Sequence, residues 1–69
     1  MIYAEVYKKG SFWWYSKRAT SGPLTISTKH KTKAKALTEA NDDFEKNHIH
    51  TLHIFKSNGE YESRKVQAK

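Results

Sequence analysis

The sequence contains no cysteine, one proline and three glycines among its 69 residues. Without cysteine the chain has neither disulfide bonds nor thiolate metal ligands, so its stability must come from packing or from oligomerisation. A chain of this length builds only one hydrophobic core. We therefore expect one compact domain over residues 1–66, followed by a frayed tail over residues 67–69.

Long apolar runs are also lacking, since no stretch approaches the roughly 20 residues that a membrane-spanning helix requires. Met1 leads directly into an alternating, strand-like segment rather than into a signal peptide. These two absences predict a cytoplasmic protein with no membrane partner.

Acidic residues are scarce relative to basic ones: 7 aspartates and glutamates stand against 13 lysines and arginines, which gives a formal net charge of +6. Such an excess favours the phosphate backbone of a nucleic acid, an anionic membrane or an acidic protein as the partner. A membrane-surface helix would carry lysines along its polar face. The one segment with helical spacing here, which starts at Thr32, carries acidic residues over its second half instead.

Motifs that carry catalysis are missing as well. Gly10, Gly22 and Gly59 are isolated, so the chain has no glycine-rich phosphate-binding loop, and it has no nucleophile elbow. A general acid–base pair would need a pocket, which so small a core can hardly enclose. The sequence therefore predicts a protein that is not an enzyme and has no cofactor.

Three histidines, His48, His50 and His53, form the arrangement closest to a metal site. On an extended segment His48 and His50 would share a side and His53 would point the opposite way, so the three rings could not easily converge. No cysteine or carboxylate at ligand spacing supplements them. We expect no metal here, and instead a cluster whose titration adds positive charge below neutral pH.

The spacing of apolar residues predicts three strands before the helix. Residues 2–7 alternate, and a turn at residues 8–11 returns the chain along a second strand at 12–18. Breakers at residues 20–23 mark the next turn, before a short third strand at 24–28.

The second half of the chain predicts a helix and a hairpin. The helix begins after its N-cap Thr32 and stops near Asn47. Strands at 51–56 and 60–66 flank an Asn58-Gly59 turn; if that turn is type I′, Phe55 pairs with Glu62. The expected architecture is α+β, with a single helix packed on one face of an antiparallel sheet in the order β-β-β-α-β-β. The residues expected on the inner face of the helix are Ala34, Leu37, Ala40 or Asn41, and Phe44. The face of the last hairpin that carries Leu52 and Ile54 is expected to carry Tyr61 as well.

Four consecutive aromatic residues, Phe12, Trp13, Trp14 and Tyr15, follow the first turn. In a strand, Phe12 and Trp14 would face one side and Trp13 and Tyr15 the other. One interpretation leaves one of these pairs on an open face, as a platform on which nucleic-acid bases stack. The other buries one pair under the helix and places the second in a homodimer interface or under the tail.

Five basic or potentially basic residues surround the entrance to the helix: Lys29, His30, Lys31, Lys33 and Lys35. Backbone N–H groups at a helix N-terminus attract phosphate, and these side chains would add a sequence-independent grip. The alternative is an ordinary solvated face of lysines. The cations that could extend the cluster along the sheet are Lys8, Lys9, Lys17, Arg18, Arg64 and Lys65.

Residues 7–46 contain a KKGSFWWYS hairpin, a turn, and then KHKTKAKALTEA leading into the helix. In these features the segment resembles the arm-type DNA-binding domains of phage and transposon tyrosine recombinases. The resemblance implies a three-stranded sheet that lies in the major groove of DNA. Its groove-facing residues would be Trp13, Tyr15, Lys17, Thr25 and Ser27, or the adjacent residues that point to the other side of the same strands.

A second resemblance covers nearly the whole chain. It depends on a tryptophan in the second strand (Trp13 or Trp14), on TKAKALTEA in the helix, and on the closing hairpin LHIFKSNGEYESRK. These features are similar to the small domain-of-unknown-function family DUF2188, found alone in bacteria and their phages. The resemblance implies the architecture, and it carries no settled activity.

These observations together predict a small, non-enzymatic nucleic-acid-binding protein, with DNA as the favoured partner and a phage or mobile element as a possible source. It would use the open sheet face and the basic entrance to the helix. The alternative is a protein-interaction module that docks through its exposed aromatic face. It would be a phage-type inhibitor or accessory subunit that binds a host protein, or it would form a homodimer. The predicted nucleic-acid contacts are Trp13, Tyr15, Lys17, Arg18, Lys29, Lys31, Lys33 and Lys35.

Overall fold

The computed structural model describes residues 1–19 and 25–68, and their strands and helix follow the predicted order. The turn expected at residues 20–23, and Leu24 at the expected start of the third strand, lie outside the described residues. The elements are β1 (Ile2–Lys9), β2 (Phe12–Ala19), β3 (Thr25–His30), α1 (Lys33–Glu45), β4 (Thr51–Phe55) and β5 (Tyr61–Val66).

The strands form one sheet in the order β3-β2-β1-β4-β5, and α1 packs on one face of it. The α+β class and the element order are therefore confirmed. Three of the four strand pairings are antiparallel, but the central strand β1 pairs with β4 in parallel, so the sheet is mixed and the prediction of an antiparallel sheet is corrected. The parallel pairing is possible because α1 connects β3 to β4. The helix carries the chain back to the end of the sheet where β3 begins, so β4 runs in the same direction as β3 and β1.

Both ends of α1 agree with the predicted signals. The Thr32 side chain accepts a hydrogen bond from the Lys35 backbone N–H at 3.2 Å, as an N-cap does. At the other end Asn47 has a φ of 64°. The N–H groups of Asn47 and His48 bond to the carbonyls of Phe44 and Asp43 at 3.1 and 2.8 Å. This pair of hydrogen bonds defines the Schellman motif. Asparagine is one of the few residues that readily adopt the positive φ which the motif requires.

The buried side of α1 differs by part of a turn from the predicted one. Ala36 and Ala40 are fully buried, while Leu37 and Phe44 pack at the margin of the core. Ala34, which was expected on this side, is exposed. Because alanine has only a methyl side chain, Ala36 and Ala40 let the helix approach the sheet closely.

The core consists of these alanines, Ile49, and the side chains that β1, β2 and β4 direct towards the helix. The four largest completely buried side chains are those of Tyr15, Ile49, Leu52 and Val6. Residue 67, which was expected in a frayed tail, is also held in place. The Gln67 side chain donates to the carbonyls of Phe44 and Ile49 at 2.6 and 3.1 Å. Ordered packing thus continues to Gln67.

The last hairpin has a different turn from type I′, which needs a positive φ at both central residues. Gly59 has a φ of 90°, whereas Asn58 has no positive φ. The Gly59 N–H bonds to the Lys56 carbonyl at 3.0 Å. A register shift then places Phe55 opposite Tyr61 instead of Glu62. As a result Tyr61 lies on the same side as Phe55, and the prediction that it shares a side with Ile54 is wrong.

Candidate functional site

The side of the sheet opposite α1 is the candidate site, and we call it the open face. Within residues 1–19 and 25–68, the packing contacts of α1 all fall on the other side. Strand alternation and the pairing registers assign the side chains to each face. The larger side chains of the described strands on the open face are Tyr3, Glu5, Tyr7, Lys9, Phe12, Trp14, Arg18, Lys29, His53, Phe55, Tyr61 and Arg64.

The aromatic run alternates as predicted, but the pair proposed for nucleic-acid contact lies on the covered face. Trp13 and Tyr15 are 8% and 0% exposed, and both belong to the core. Neither ring can stack on a base, because no base can reach it. The correction is therefore that Phe12 and Trp14, which are half-buried, are the pair on the open face.

Lys17 follows the same alternation and also lies on the covered side. Its ammonium group is 3.1 Å from Asp43 Oδ2, and the Tyr15 hydroxyl donates to the same oxygen at 2.8 Å. His48 Nδ1 lies 3.4 Å from Asp43 Oδ1. This cluster joins β2 to α1, so the role that the structure gives Lys17 is to hold the helix on the sheet.

Two pKa values in this cluster depart from the ordinary range. Burial, together with the bond to Asp43, raises the pKa of Tyr15, which keeps its hydroxyl protonated as a donor. Burial alone would raise the pKa of Asp43, but hydrogen bonds from Tyr15, Lys17 and His48 outweigh it and lower that pKa. The cluster is therefore a protonated phenol bonded to an ionised carboxylate.

Aromatic rings cover much of the open face. Tyr61 is 52% exposed and meets the edge of Phe55, with ring centroids 5.8 Å apart and planes at 79°. The centroid of the His53 ring lies 6.1 Å from that of Tyr61. Tyr3, at 40% exposure, lies on β1. His53, Phe55 and Tyr61 thus form a group of neighbouring rings, which is the kind of surface that flat ligands contact by stacking.

Trp14 lies on β2 between Tyr7 of β1 and Lys29 of β3. Its indole Nε1 is enclosed and has no hydrogen-bond partner among the described residues. The part of the ring that reaches the surface is therefore carbon. Beside it, Ser16 Oγ contacts the Tyr7 hydroxyl at 3.2 Å and Ser27 Oγ at 2.9 Å. This chain of hydroxyl groups links β1, β2 and β3 beneath the aromatic surface.

Cations lie among these rings. The Lys29 ammonium group is 4.4 Å from the centroid of the Phe12 ring, a cation–π contact. Arg18 donates to Glu5 Oε1 at 3.3 Å, and Arg64 is paired opposite His53. Four acidic residues lie instead on α1, on the other side of the sheet, namely Glu39, Asp42, Asp43 and Glu45. The helix side also carries cations, among them Lys17, Lys33 and Lys35. Among the open-face side chains named above, the cations outnumber the one acid, Glu5, which favours an anion there.

The predicted basic cluster at the helix entrance does not form one patch. Lys29 is on the open face, Lys31 is exposed in the bend before α1, and Lys35 is exposed on the helix. Lys33 bonds to Glu62 and lies 5.4 Å from the Trp13 ring centroid. His30 contacts Glu39 Oε1 at 2.7 Å. Of the predicted lysines and arginine, the structure brings Arg18 and Lys29 together with the exposed rings.

A depression of about 380 Å³ lies on the open face. Sequence reasoning missed this feature because it depends on the parallel pairing of β1 with β4, which brings Glu5 beside His53. The alternation of residues 2–7 predicts one part of this depression, because it places Glu5 and Tyr7 on the same side of β1. The residues that line the depression are Glu5, Tyr7, Lys8, Arg18, Phe55 and Gly59.

The three histidines have separate neighbours. His48 lies beside Asp43, His50 Nδ1 is 2.8 Å from the Thr51 hydroxyl, and His53 contacts Tyr61. No group of three or more potential metal ligands occurs among the residues that the structure describes. In the same part of the chain, no helix has both the length and the apolar character needed to cross a membrane.

Comparisons of the chain with family models, with curated proteins and with solved structures found no match. The two resemblances inferred from the sequence therefore stay predictions.

Proposed function

We propose that the protein binds single-stranded nucleic acid on the open face, in a non-enzymatic role. The exposed rings would stack on bases, and Arg18, Lys29 and Arg64 would contact phosphates. The observation that carries the proposal is the combination of part-exposed aromatic rings and cations on one face, with four of the acidic residues on the opposite side.

Two physical terms would contribute to binding. A base stacked on an aromatic side chain contributes about 1 to 3 kcal/mol, whatever the sequence, because every base has a π face. Phosphate contacts release counterions, so they add affinity that falls steeply with salt. Trp14 would provide the stacking contact, and Lys29, which is paired opposite it, would provide the phosphate contact.

A single strand fits this surface better than a duplex. Stacking on a side chain requires a base whose face is free, and the bases of a duplex are stacked on one another. The recombinase resemblance, in contrast, implies a duplex with the sheet in its major groove. Duplex DNA of the same sequence is therefore a necessary competitor in the test.

Fluorescence anisotropy with labelled single-stranded DNA and RNA of mixed sequence, over a series of salt concentrations, tests the proposal. We expect binding at low salt that weakens steeply as salt rises. Trp14→Ala should weaken it roughly 10-fold, which is the loss of one stack. Tyr61→Ala is a second variant, chosen because Tyr61 is more exposed and its loss threatens folding less.

Charge variants separate the open face from the rest of the surface. Arg18→Ala and Lys29→Ala should weaken binding and flatten its salt dependence. Lys35→Ala removes the same charge from an exposed position on the helix and should change binding little.

Three results would overturn the proposal. One is no affinity for either single strand at low salt. Another is tighter binding to the duplex than to the single strands. The third is a stable dimer or protein complex that is insensitive to salt and is lost in Trp14→Ala, which would assign the open face to protein contact instead.

A further inference from the structure

Glu5 is an unexpected residue on a surface that attracts a polyanion. Among the larger open-face side chains of the described strands named above, it is the one acid. A carboxylate there repels phosphates, so it lowers the attraction that the neighbouring cations provide. Its ion pair with Arg18 is partly solvent-exposed, with side chains 35% and 58% exposed, and such pairs add little stability. Stability alone therefore gives a weak reason for an acid at this position.

The position of Glu5 in the depression gives a better reason. Two aromatic residues, Tyr7 and Phe55, line this space together with three charged residues, Glu5, Lys8 and Arg18. Gly59 contributes no side chain, and the space beside its Cα is empty. At about 380 Å³, the depression has the size of a site for one small flat molecule. Apolar walls with a few polar groups are the usual composition of such sites.

The chemistry of a carboxylate selects among the bases. An ionised carboxylate is a pure acceptor with two oxygens, and the described bond from Arg18 uses Oε1. Guanine presents two parallel donors on its Watson–Crick edge, an imino and an amino N–H, which match the two oxygens. Cytosine and adenine each present one amino group there. Thymine and uracil present one imino N–H between two carbonyl oxygens, which a carboxylate repels.

We propose that the depression beside β1 holds one base of the bound strand and that Glu5 makes guanine the preferred base, with thymine and uracil the least preferred. This inference rests on the proposed function, because the base arrives as part of a nucleic-acid strand. Tyr7 and Phe55 would flank the base, and Glu5 would accept its N–H groups. The remainder of the open face would bind the flanking nucleotides without regard to sequence.

Binding of thymine oligonucleotides that carry a single central guanine, cytosine, adenine or thymine tests the inference. We expect the guanine oligonucleotide to bind about 10-fold more tightly than the all-thymine one, the size of a bidentate contact. Inosine in place of guanine lacks the amino group and should lose part of this preference.

Glu5→Gln replaces one carboxylate oxygen with a donor and should abolish the preference for guanine, while affinity for the all-thymine oligonucleotide stays equal or rises. Glu45→Gln removes the same charge from an exposed position on α1 and should keep the preference.

The outcomes separate this inference from the proposed function. Equal, salt-dependent binding of all four oligonucleotides would overturn the base site and leave the open face as a nucleic-acid surface. So would a uniform change of affinity in Glu5→Gln with the base order intact, since Glu5 would then only orient Arg18. If the protein binds none of the oligonucleotides, both the base site and the proposed function are overturned.

Discussion

On the covered face of the sheet Trp13 and Tyr15 lie in the core, whereas on the open face their chain neighbours Phe12 and Trp14 stay half-buried. Tyr15 also bonds to Asp43 and so to the helix. On the open face the neighbour of Phe12 is a lysine ammonium group instead. Similar side chains thus serve stability on one side and leave surface for a ligand on the other. The difference comes from α1, which covers only one face.

The largest expected difference between the two faces is in unfolding free energy. Tyr15→Ala removes a completely buried ring and should cost about 3 to 5 kcal/mol, enough to unfold much of a domain this small. Tyr3→Ala on the open face should cost about 1 kcal/mol or less, because that ring is 40% exposed. Urea denaturation of both variants measures the difference. Equal losses would mean that the open face also belongs to the core.

A smaller effect is expected from the cluster that joins β2 to α1. Asp43→Ala leaves the buried Tyr15 hydroxyl without its acceptor and Lys17 without its counterion, and should cost about 1 to 3 kcal/mol. Asp42→Ala is the matched control, since its side chain is 58% exposed in a surface ion pair. Similar small losses in both variants would show that the cluster does not stabilise the covered face.

The smallest expected effect is on the pH dependence of stability. The pKa of Asp43 is lowered in the folded state from its ordinary value of 3.8, so folding favours the ionised form. Its contribution is fully present above pH 3.8 and is lost as the pH falls below 3.8 through the lower folded value. The stability difference between the wild type and Asp43→Asn should therefore be largest near neutral pH and shrink in acid. A difference that stays constant with pH would contradict this assignment.

The elements of this fold could be predicted because their signals are local. Thr32 and Asn47 mark the ends of α1 through side-chain and backbone bonds to residues within a few positions. The Asn58-Gly59 pair located the last turn but not its type. The register shift that follows places Tyr61 opposite Phe55, on the open face. Local sequence could not specify that shift.

The candidate site was less predictable, because it depends on contacts between distant parts of the chain. Alternation separated Trp13 and Tyr15 from Phe12 and Trp14, but nothing in the run says which pair meets the helix. The sequence predicts Lys33 as a phosphate contact, whereas the structure pairs it with Glu62 of the last strand. The structure places Lys29 beside Phe12 and Trp14 and places Arg18 opposite Tyr3, and their contact with a nucleic acid stays a prediction.

The sequence by itself determined the strands, the ends of the helix and the division of the aromatic residues into two sets, because backbone geometry repeats every two residues in a strand and caps a helix locally. Only the tertiary structure decided which set is buried, since that depends on where the side of α1 carrying Ala36 and Ala40 lies on the sheet. It also decided that β1 and β4 lie side by side, which brings Glu5 and Phe55 to one depression.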